Sequence, residues 1–164
     1  MNIIRTNSKN KDFIKLVKQL DAYLKITDGD EHEFYNQFNT IAILKEVVVL
    51  YEGENAVGCG AIKKFDADLL KIKSAHASSV KVKNAAEIKR MFVLSEKRGV
   101  GIAQKILIEL EVWAKELGYK KCVLETGIRQ VEAVKFYKKC DYKIIPNYGQ
   151  YKNMENSICF EKQL

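Results

Sequence analysis

The order of elements in the C-terminal half of the chain constrains its fold more than any other sequence feature. Residues 87–93 are typical of a β-strand, residues 101–117 of a helix with one continuous apolar face, and residues 121–126 of another strand. A strand, a helix and a strand in this order pack as a right-handed crossover, which makes the two strands parallel. The chain is therefore expected to contain a parallel strand pair with a helix packed across it.

The segments on either side add antiparallel strands and more helices. Alternation predicts strands near residues 2–5, 46–51, 56–63, 142–145 and 157–162, and helical spacing predicts helices near 9–25, 34–38 and 130–140. We therefore predict an α/β (α+β) fold whose mixed, mostly antiparallel sheet has six to seven strands and about four flanking helices. Residues 65–84 are polar and lysine-rich, and they are expected to form an extended hairpin or a long loop.

Length and composition favour a single domain spanning residues 1–164, which is long enough to bury a core without disulfides or a metal. No apolar run approaches a membrane span and the N-terminus has no signal-peptide core, so a cytoplasmic protein without a membrane partner is expected. The cysteines lack C-x-x-C spacing and nearby histidines, which predicts buried reduced thiols and no metal site. They are Cys59, Cys122, Cys140 and Cys159.

The formal net charge of +7 indicates an anionic partner without naming one. The basic residues are scattered along the chain rather than gathered into one tract with interleaved aromatic residues. This distribution argues against nucleic acid as the partner and leaves a phosphorylated small molecule as one alternative.

A glycine-rich segment joins the first strand of the parallel pair to its helix. It consists of Arg98, Gly99, Val100, Gly101, Ile102 and Ala103. Glycines leave the backbone N–H groups unobstructed, and the helix N-terminus adds the positive end of a dipole, so the segment suits a pyrophosphate.

Other interpretations of this segment are weaker. The Walker A pattern is absent. Gly99 and Gly101 supply two glycines of a dinucleotide-binding motif, with Glu125 at the distance of its acidic residue, but the third position is Gln104. Five residues also separate Gly99 from the preceding strand, where that motif follows its strand almost directly. A tight loop without a ligand is the remaining alternative.

Several motifs together resemble the GCN5-related N-acetyltransferase (GNAT) superfamily, in particular its small bacterial branch. Residues 98–103 fit the family pattern Q/R-x-x-G-x-G/A, and Ala133, Tyr137 and Tyr142 resemble its A-x-x-x-Y helix and the aromatic residue that follows. Two positions depart from the family pattern: Asp141 stands where glycine is usual, and Gln130 where asparagine is frequent.

The resemblance implies that acetyl-coenzyme A binds where the two parallel strands splay apart. The pantetheine arm would lie along Met91, Phe92 and Val93, and the pyrophosphate would lie over residues 98–103. Gln130 and Ala133, at the start of the following helix, would also contact this cofactor.

The resemblance also implies catalytic roles for two residues. Tyr137 would protonate the departing thiolate, with a buried core tyrosine as the alternative, and Glu87 would act as the base that deprotonates the amine. Period-two alternation is expected to place Glu87, Lys89 and Met91 on one face of their strand. A surface carboxylate paired with a neighbouring cation is the other interpretation of Glu87, and Glu125 is a second candidate base.

The acceptor implied by the family is a primary amine of a small molecule or peptide. Acidic residues near the first two helices could attract it, and Tyr148 and Tyr151 could line the opposite side of its site. The acidic residues are Asp28, Asp30, Glu31 and Glu33. A catalytically weak coenzyme A-binding sensor or scaffold is the alternative function, and a homodimer is left open.

Overall fold

The computed structural model describes residues 1–37, 40–65 and 84–164. In these residues seven strands form one sheet in the order β1-β2-β3-β4-β5-β7-β6. The strands are β1 (Asn2–Thr6), β2 (Glu46–Glu52), β3 (Asn55–Lys64), β4 (Ala85–Val93), β5 (Lys121–Gly127), β6 (Lys143–Ile145) and β7 (Ser157–Gln163). The predicted mixed sheet is confirmed, whereas the predicted hairpin or loop at 65–84 lies almost entirely outside the described residues.

Four α-helices flank the sheet in the described part of the chain, as predicted. They are α1 (Lys11–Asp28), α2 (His32–Asn36), α3 (Ile102–Glu116) and α4 (Val131–Lys139). The Asn10 side chain begins α1 by accepting hydrogen bonds from the N–H groups of Asp12 and Phe13. Leu16 and Leu20 lie on the buried face of α1 at helical spacing.

The two faces of the sheet bury separate apolar clusters. Phe13, Leu16 and Val17 of α1 pack with Val47 and Val49 of β2 on one face. On the other face, Ile106 and Leu110 of α3 pack with Val48, Ala86 and Phe160. Successive strand residues therefore alternate between the two helix layers, as expected for a sheet covered on both sides.

The central strands β4 and β5 are parallel neighbours for only part of their length. Ala85 pairs with Lys121, Ala86 with Cys122, and Glu87 with Val123. β4 continues to Val93 without further pairing to β5. The two strands thus splay apart beyond Glu87, as the family resemblance implies.

A bulge in β4 lies at the point where the strands separate. Cys59 pairs with Phe92 and Ala61 with Lys89, so Arg90 and Met91 together oppose a single residue of β3. Arg90 has φ 57°, in the left-handed region that side chains rarely adopt.

The bulge makes one sequence-based prediction wrong. Glu87 and Lys89 do share a face, since Lys89 Nζ lies 3.5 Å from Glu87 Oε1. Met91, however, packs against the α3 cluster on the opposite face. The extra residue at Arg90 breaks the period-two alternation, so Met91 does not follow Glu87 and Lys89.

The cysteines match their prediction, because all four are buried and free. Within the described ranges, no group of three or more histidine, cysteine or acidic side chains is placed to hold a metal ion. None of the described helices combines the length and the apolar character needed to cross a bilayer.

Candidate active site

The gap between β4 and β5 opens into two clefts that share a common wall. The wall is formed by Leu20, Met91, Gln130, Ala133 and Tyr137. The inner cleft is further lined by polar residues that include Asp28, Tyr35, Lys89, Glu125, Thr126 and Tyr151. The outer cleft is further lined by residues that include Tyr23, Phe92, Val93, Arg98, Gly99 and Phe136.

The glycine-rich segment begins in the outer cleft, which Arg98 and Gly99 line, and it leaves open space above its backbone. Gly99 and Gly101 have φ of 82° and 83°, and a β-carbon on either would meet no atom within 4 Å. Ile102 and Ala103 begin α3 and, together with Gly99 and Gly101, line a pocket that adjoins the outer cleft. The unobstructed helix start fits a pyrophosphate, so this part of the structure agrees with the expected coenzyme A site. Val100 is 62% exposed on the same loop.

The cations around this pocket differ in their availability. Lys97 pairs with Glu52. Arg98 donates from Nε to the Val93 carbonyl oxygen at 3.0 Å, and its guanidinium lies over the Tyr23 ring at 5.4 Å. Lys139 lines the pocket as well, a position that sequence reasoning did not single out. The sequence signal for Lys139 is weak, since only its spacing of three residues from Phe136 places it on the same face of α4 as Phe136.

The unpaired edge of β4 forms one side of the outer cleft. Met91, Phe92 and Val93 all line it, opposite Gln130 and Ala133 at the start of α4. β5 does not pair with β4 here, so a bound chain can approach the strand edge. All the residues assigned to the pantetheine arm from sequence are therefore brought together.

Tyr137 lies where the inner and outer clefts meet. It is 7% exposed and lines both clefts. Its ring packs edge-on against Tyr142, with the centroids 5.7 Å apart. Burial raises the pKa of Tyr137 above its ordinary value, which keeps the hydroxyl protonated. Tyr137 is thus a core residue whose side chain also borders the site.

The two carboxylates considered as bases occupy different surroundings. Glu87 is 3% exposed, lies 3.3 Å from Lys63 Nζ and 3.5 Å from Lys89 Nζ, and is not among the residues lining the clefts. Glu125 lines the inner cleft, and burial raises its pKa from 4.5 to about 7. A carboxylate with this pKa can exchange a proton near neutral pH.

Only part of the predicted acidic patch reaches the site. Asp28, at the end of α1, lines the inner cleft. Asp30 and Glu33 are exposed, and Glu31 accepts hydrogen bonds from the Asn156 side chain at 2.9 and 3.0 Å. Of the two tyrosines expected opposite, Tyr151 lines the cleft, whereas Tyr148 is buried against Phe65.

The turn after α4 keeps the geometry that glycine usually provides. Asp141 stands at that position with φ 68°, and the Tyr142 N–H donates to the Tyr137 carbonyl oxygen at 3.0 Å. Aspartate tolerates the left-handed region better than most residues, which explains how the substitution is accommodated. The helix that carries Tyr137 therefore ends as in the family pattern.

Comparison with known proteins agrees with this geometry. The Acetyltransferase (GNAT) family profile matches residues 15–142. The "IAA acetyltransferase" of Azospirillum brasilense is 27% identical over 166 residues, covering 100% of this chain and 98% of the relative. The chain is also 34% identical over 98 residues to "Uncharacterized N-acetyltransferase YjgM" of Escherichia coli, covering 60% of this chain and 50% of that protein.

Solved structures share the fold. The PaiA N-acetyltransferase of Thermoplasma acidophilum in complex with coenzyme A has a TM-score of 0.65 at 16% identity, covering 100% of both chains. A GNAT family acetyltransferase of Elizabethkingia anophelis with acetyl-CoA bound also has a TM-score of 0.65, at 18% identity, covering 99% of this chain and 97% of that one. The splayed parallel pair, the glycine-rich helix start and the family match together show that the chain belongs to the GNAT acetyltransferase family.

Proposed function

We propose that the protein transfers an acetyl group from acetyl-coenzyme A directly to a primary amine of a small molecule or peptide. The observation that carries this proposal is the shared wall at Tyr137, where the outer and inner clefts meet. A donor in the outer cleft and an acceptor in the inner cleft would bring their reacting atoms together at that wall. Binding both at once makes the transfer a single displacement within one complex.

The donor would be held by the glycine-rich segment and the open edge of β4. The N–H groups at the start of α3 would bind the pyrophosphate, with Lys139 as an additional cation. The side chains of Phe92 and Val93 and the small Ala133 would flank the pantetheine arm. Arg98 would contribute mainly by fixing the end of β4 through the Val93 carbonyl.

Glu125 is the base that the surroundings favour. An amine attacks the acetyl carbon only in its neutral form, so an ammonium must first lose a proton. Glu125 lines the inner cleft and has a pKa of about 7, so its carboxylate can take that proton near neutral pH. Glu87 is held between Lys63 and Lys89, and its assignment as the base stays a prediction.

Tyr137 is the proposed general acid. As the new C–N bond forms, the C–S bond breaks and the coenzyme A sulfur needs a proton. The Tyr137 hydroxyl stays protonated because burial raises its pKa, and it can supply that proton from the cleft junction and regain one from solvent. The proton given up by the amine goes to Glu125.

Amine-dependent release of free coenzyme A tests the proposal. We expect release above the hydrolytic background with at least one amine from a panel of amino acids, polyamines, aminoglycosides and peptides, together with the acetylated amine in the mass spectrum. Tight binding of acetyl-coenzyme A without release of free coenzyme A in the presence of any amine would instead favour the alternative function, a coenzyme A-binding sensor or scaffold.

A further inference from the structure

The pairing of β5 with β7 places a serine hydroxyl beside the Glu125 carboxyl group. Glu125 pairs with Cys159, and Gly127 pairs with Ser157. Paired residues of antiparallel strands project to the same side of a sheet, and so does every second residue, so Glu125 and Ser157 are diagonal neighbours on one face. Gly127 has no side chain to separate them. The Ser157 hydroxyl is accordingly a hydrogen-bond partner of the Glu125 carboxyl group.

Tyr35 of α2 adds a second hydroxyl group to this contact. Its oxygen lies 3.0 Å from Ser157 Oγ, and both residues are buried. The Tyr35 ring stacks on Tyr151, with the centroids 6.4 Å apart. Asn156, the neighbour of Ser157, donates to the two Glu31 carboxylate oxygens at 2.9 and 3.0 Å, which ties the start of β7 to the turn before α2. The two hydroxyl groups are therefore held in contact by the elements that carry them.

The protons of this chain have one arrangement that serves an ionised Glu125. A carboxylate can only accept hydrogen bonds, so Ser157 donates its single proton to it. The Ser157 oxygen is then left to accept a hydrogen bond from the Tyr35 hydroxyl. Burial raises the pKa of Tyr35, so that hydroxyl keeps its proton. The hydrogen bonds thus run from Tyr35 to Ser157 to Glu125, and they favour the ionised form of the carboxyl group.

Charged and titratable groups face Glu125 from the strands and helices around it. Burial raises the pKa of Glu125, and the hydrogen bond from Ser157 is the next largest influence and lowers this pKa. The charge of Lys89 also lowers it, whereas the charges of Glu87 and Asp28 raise it. Other titratable groups stay uncharged near neutral pH because burial raises the pKa of each: Tyr35, Tyr137, Tyr148, Tyr151 and Cys159. Ser157 is therefore the strongest influence that a substitution can remove without changing a charge.

We propose that Ser157 and Tyr35 are positioning residues for acetyl transfer, and that their hydrogen-bonded hydroxyl groups orient the Glu125 carboxylate and keep it ready to take the proton of the acceptor amine. This inference rests on the proposed function, in which Glu125 is the base, and adds to it the groups that act through Glu125. Removing a donor from a carboxylate makes its ionised form less stable, so the pKa of Glu125 should rise when the chain is broken.

Ser157→Ala tests the inference through the titration of Glu125 itself. The carboxyl carbon is followed by NMR in protein labelled with ¹³C-glutamate, and its signal is assigned by its absence in Glu125→Gln. We expect the midpoint to rise by about 1 pH unit, the equivalent of one hydrogen bond to a charged group. The step in kcat/KM should move upward by the same amount. Ser157→Thr keeps a hydroxyl and should restore the wild-type midpoint.

Tyr35→Phe tests the second link of the chain. The midpoint should again rise, by less than in Ser157→Ala, because Ser157 still donates but loses the group that orients it. Adding Tyr35→Phe to Ser157→Ala should cause no further change, since Tyr35 acts through Ser157. Tyr148→Phe is the matched control: Tyr148 is also buried, and its hydroxyl has no hydrogen-bond partner among the described residues. Its midpoint should equal that of the wild type.

The inference and the proposed function fail in different measurements. An unchanged Glu125 midpoint in folded Ser157→Ala, with calorimetry of acetyl-coenzyme A binding as the test of folding, would overturn the inference. A lower kcat/KM with the step at its wild-type pH would also overturn it, because that result shows a structural role only. Absence of acetylation with every amine would overturn the proposed function and the catalytic role of the chain, while the NMR midpoints would still show whether Ser157 and Tyr35 act on Glu125.

Discussion

The Met91 sulfur lies so close to Gly60 that a β-carbon on Gly60 would come within 2.6 Å of it. The same β-carbon would lie 2.8 Å from Leu110 Cδ1 of α3. Gly60 is the β3 residue that faces the bulge in β4, so the absence of a side chain there lets Met91 occupy the opposite face from Lys89. The packing of α3 and the shape of the β4 edge are therefore linked through one glycine.

Gly60→Ala should destabilise the protein. Overpacking a filled core costs about 1–3 kcal/mol, and the clash involves side chains on both the strand and the helix. Chemical denaturation measures the loss in the free energy of unfolding. A double-mutant cycle with Met91→Ala should show a smaller cost for the added methyl, since the shortened side chain removes the nearest clash. Equal costs in the two backgrounds would show that Met91 does not limit the space at Gly60.

Gly101→Glu should abolish or strongly weaken acetyl-coenzyme A binding. The substitution places a carboxylate where the pyrophosphate is expected to lie at the start of α3. Gly118→Glu is the matched control: Gly118 lies just beyond the other end of α3, has φ of 87°, and a β-carbon there also meets nothing within 4 Å. Both variants place a side chain at a positive φ, so calorimetry should separate the effect of the site from that of the backbone conformation. Equal affinities in the two folded variants would contradict the assignment.

Glu125→Gln should remove the step near neutral pH from the activity profile. Wild-type kcat/KM is expected to rise with pH through about 7, as the Glu125 carboxyl group loses its proton. The Gln variant should lose about a hundredfold or more in turnover and show only the pH dependence of the free amine. Glu87→Gln is compared under the same conditions. If the step disappears in Glu87→Gln and persists in Glu125→Gln, the base is Glu87.

The same carboxylate should make stability depend on pH. Its pKa is about 7 in the folded protein against an ordinary value of 4.5, so ionisation is less favourable in the folded state. Wild type should therefore lose stability relative to Glu125→Gln as pH rises from about 4.5 to about 7. Melting temperatures of the two proteins at several pH values give the difference. A difference that stays constant over this range would show that Glu125 is not buried as described.

The sequence predicted the elements well because their patterns are local. Helix α3 was expected at 101–117 and spans Ile102–Glu116, and its apolar residues recur at a spacing that only a helix brings to one face. The glycine-rich segment also has a local signature, so the position of the expected anion site could be derived from the residues themselves.

Features that depend on contacts distant in sequence could not be predicted. The bulge at Arg90 lies where Gly60 packs against Met91 and α3, and no pattern within β4 indicates an extra residue. Glu87 and Glu125 look alike as strand carboxylates, and only the fold shows that Lys63 and Lys89 engage the first. Lys139 and Asp28 reach the site from elements whose orientation is set by the whole sheet.

The proposed role of Tyr137 at the meeting point of the two clefts is tested most directly by the single-turnover rate of Tyr137→Phe, with acetyl-coenzyme A bound before the amine is added. The substitution keeps the ring that packs against Tyr142 and removes only the hydroxyl of a residue that lines both clefts. The control is Tyr142→Phe, which removes a hydroxyl from the same aromatic cluster at a residue that does not line the clefts. We expect the Tyr137→Phe rate to fall by about tenfold to a thousandfold with acetyl-coenzyme A affinity little changed, and the Tyr142→Phe rate to match the wild type. A wild-type rate in Tyr137→Phe would contradict the account and leave Tyr137 as a packing residue.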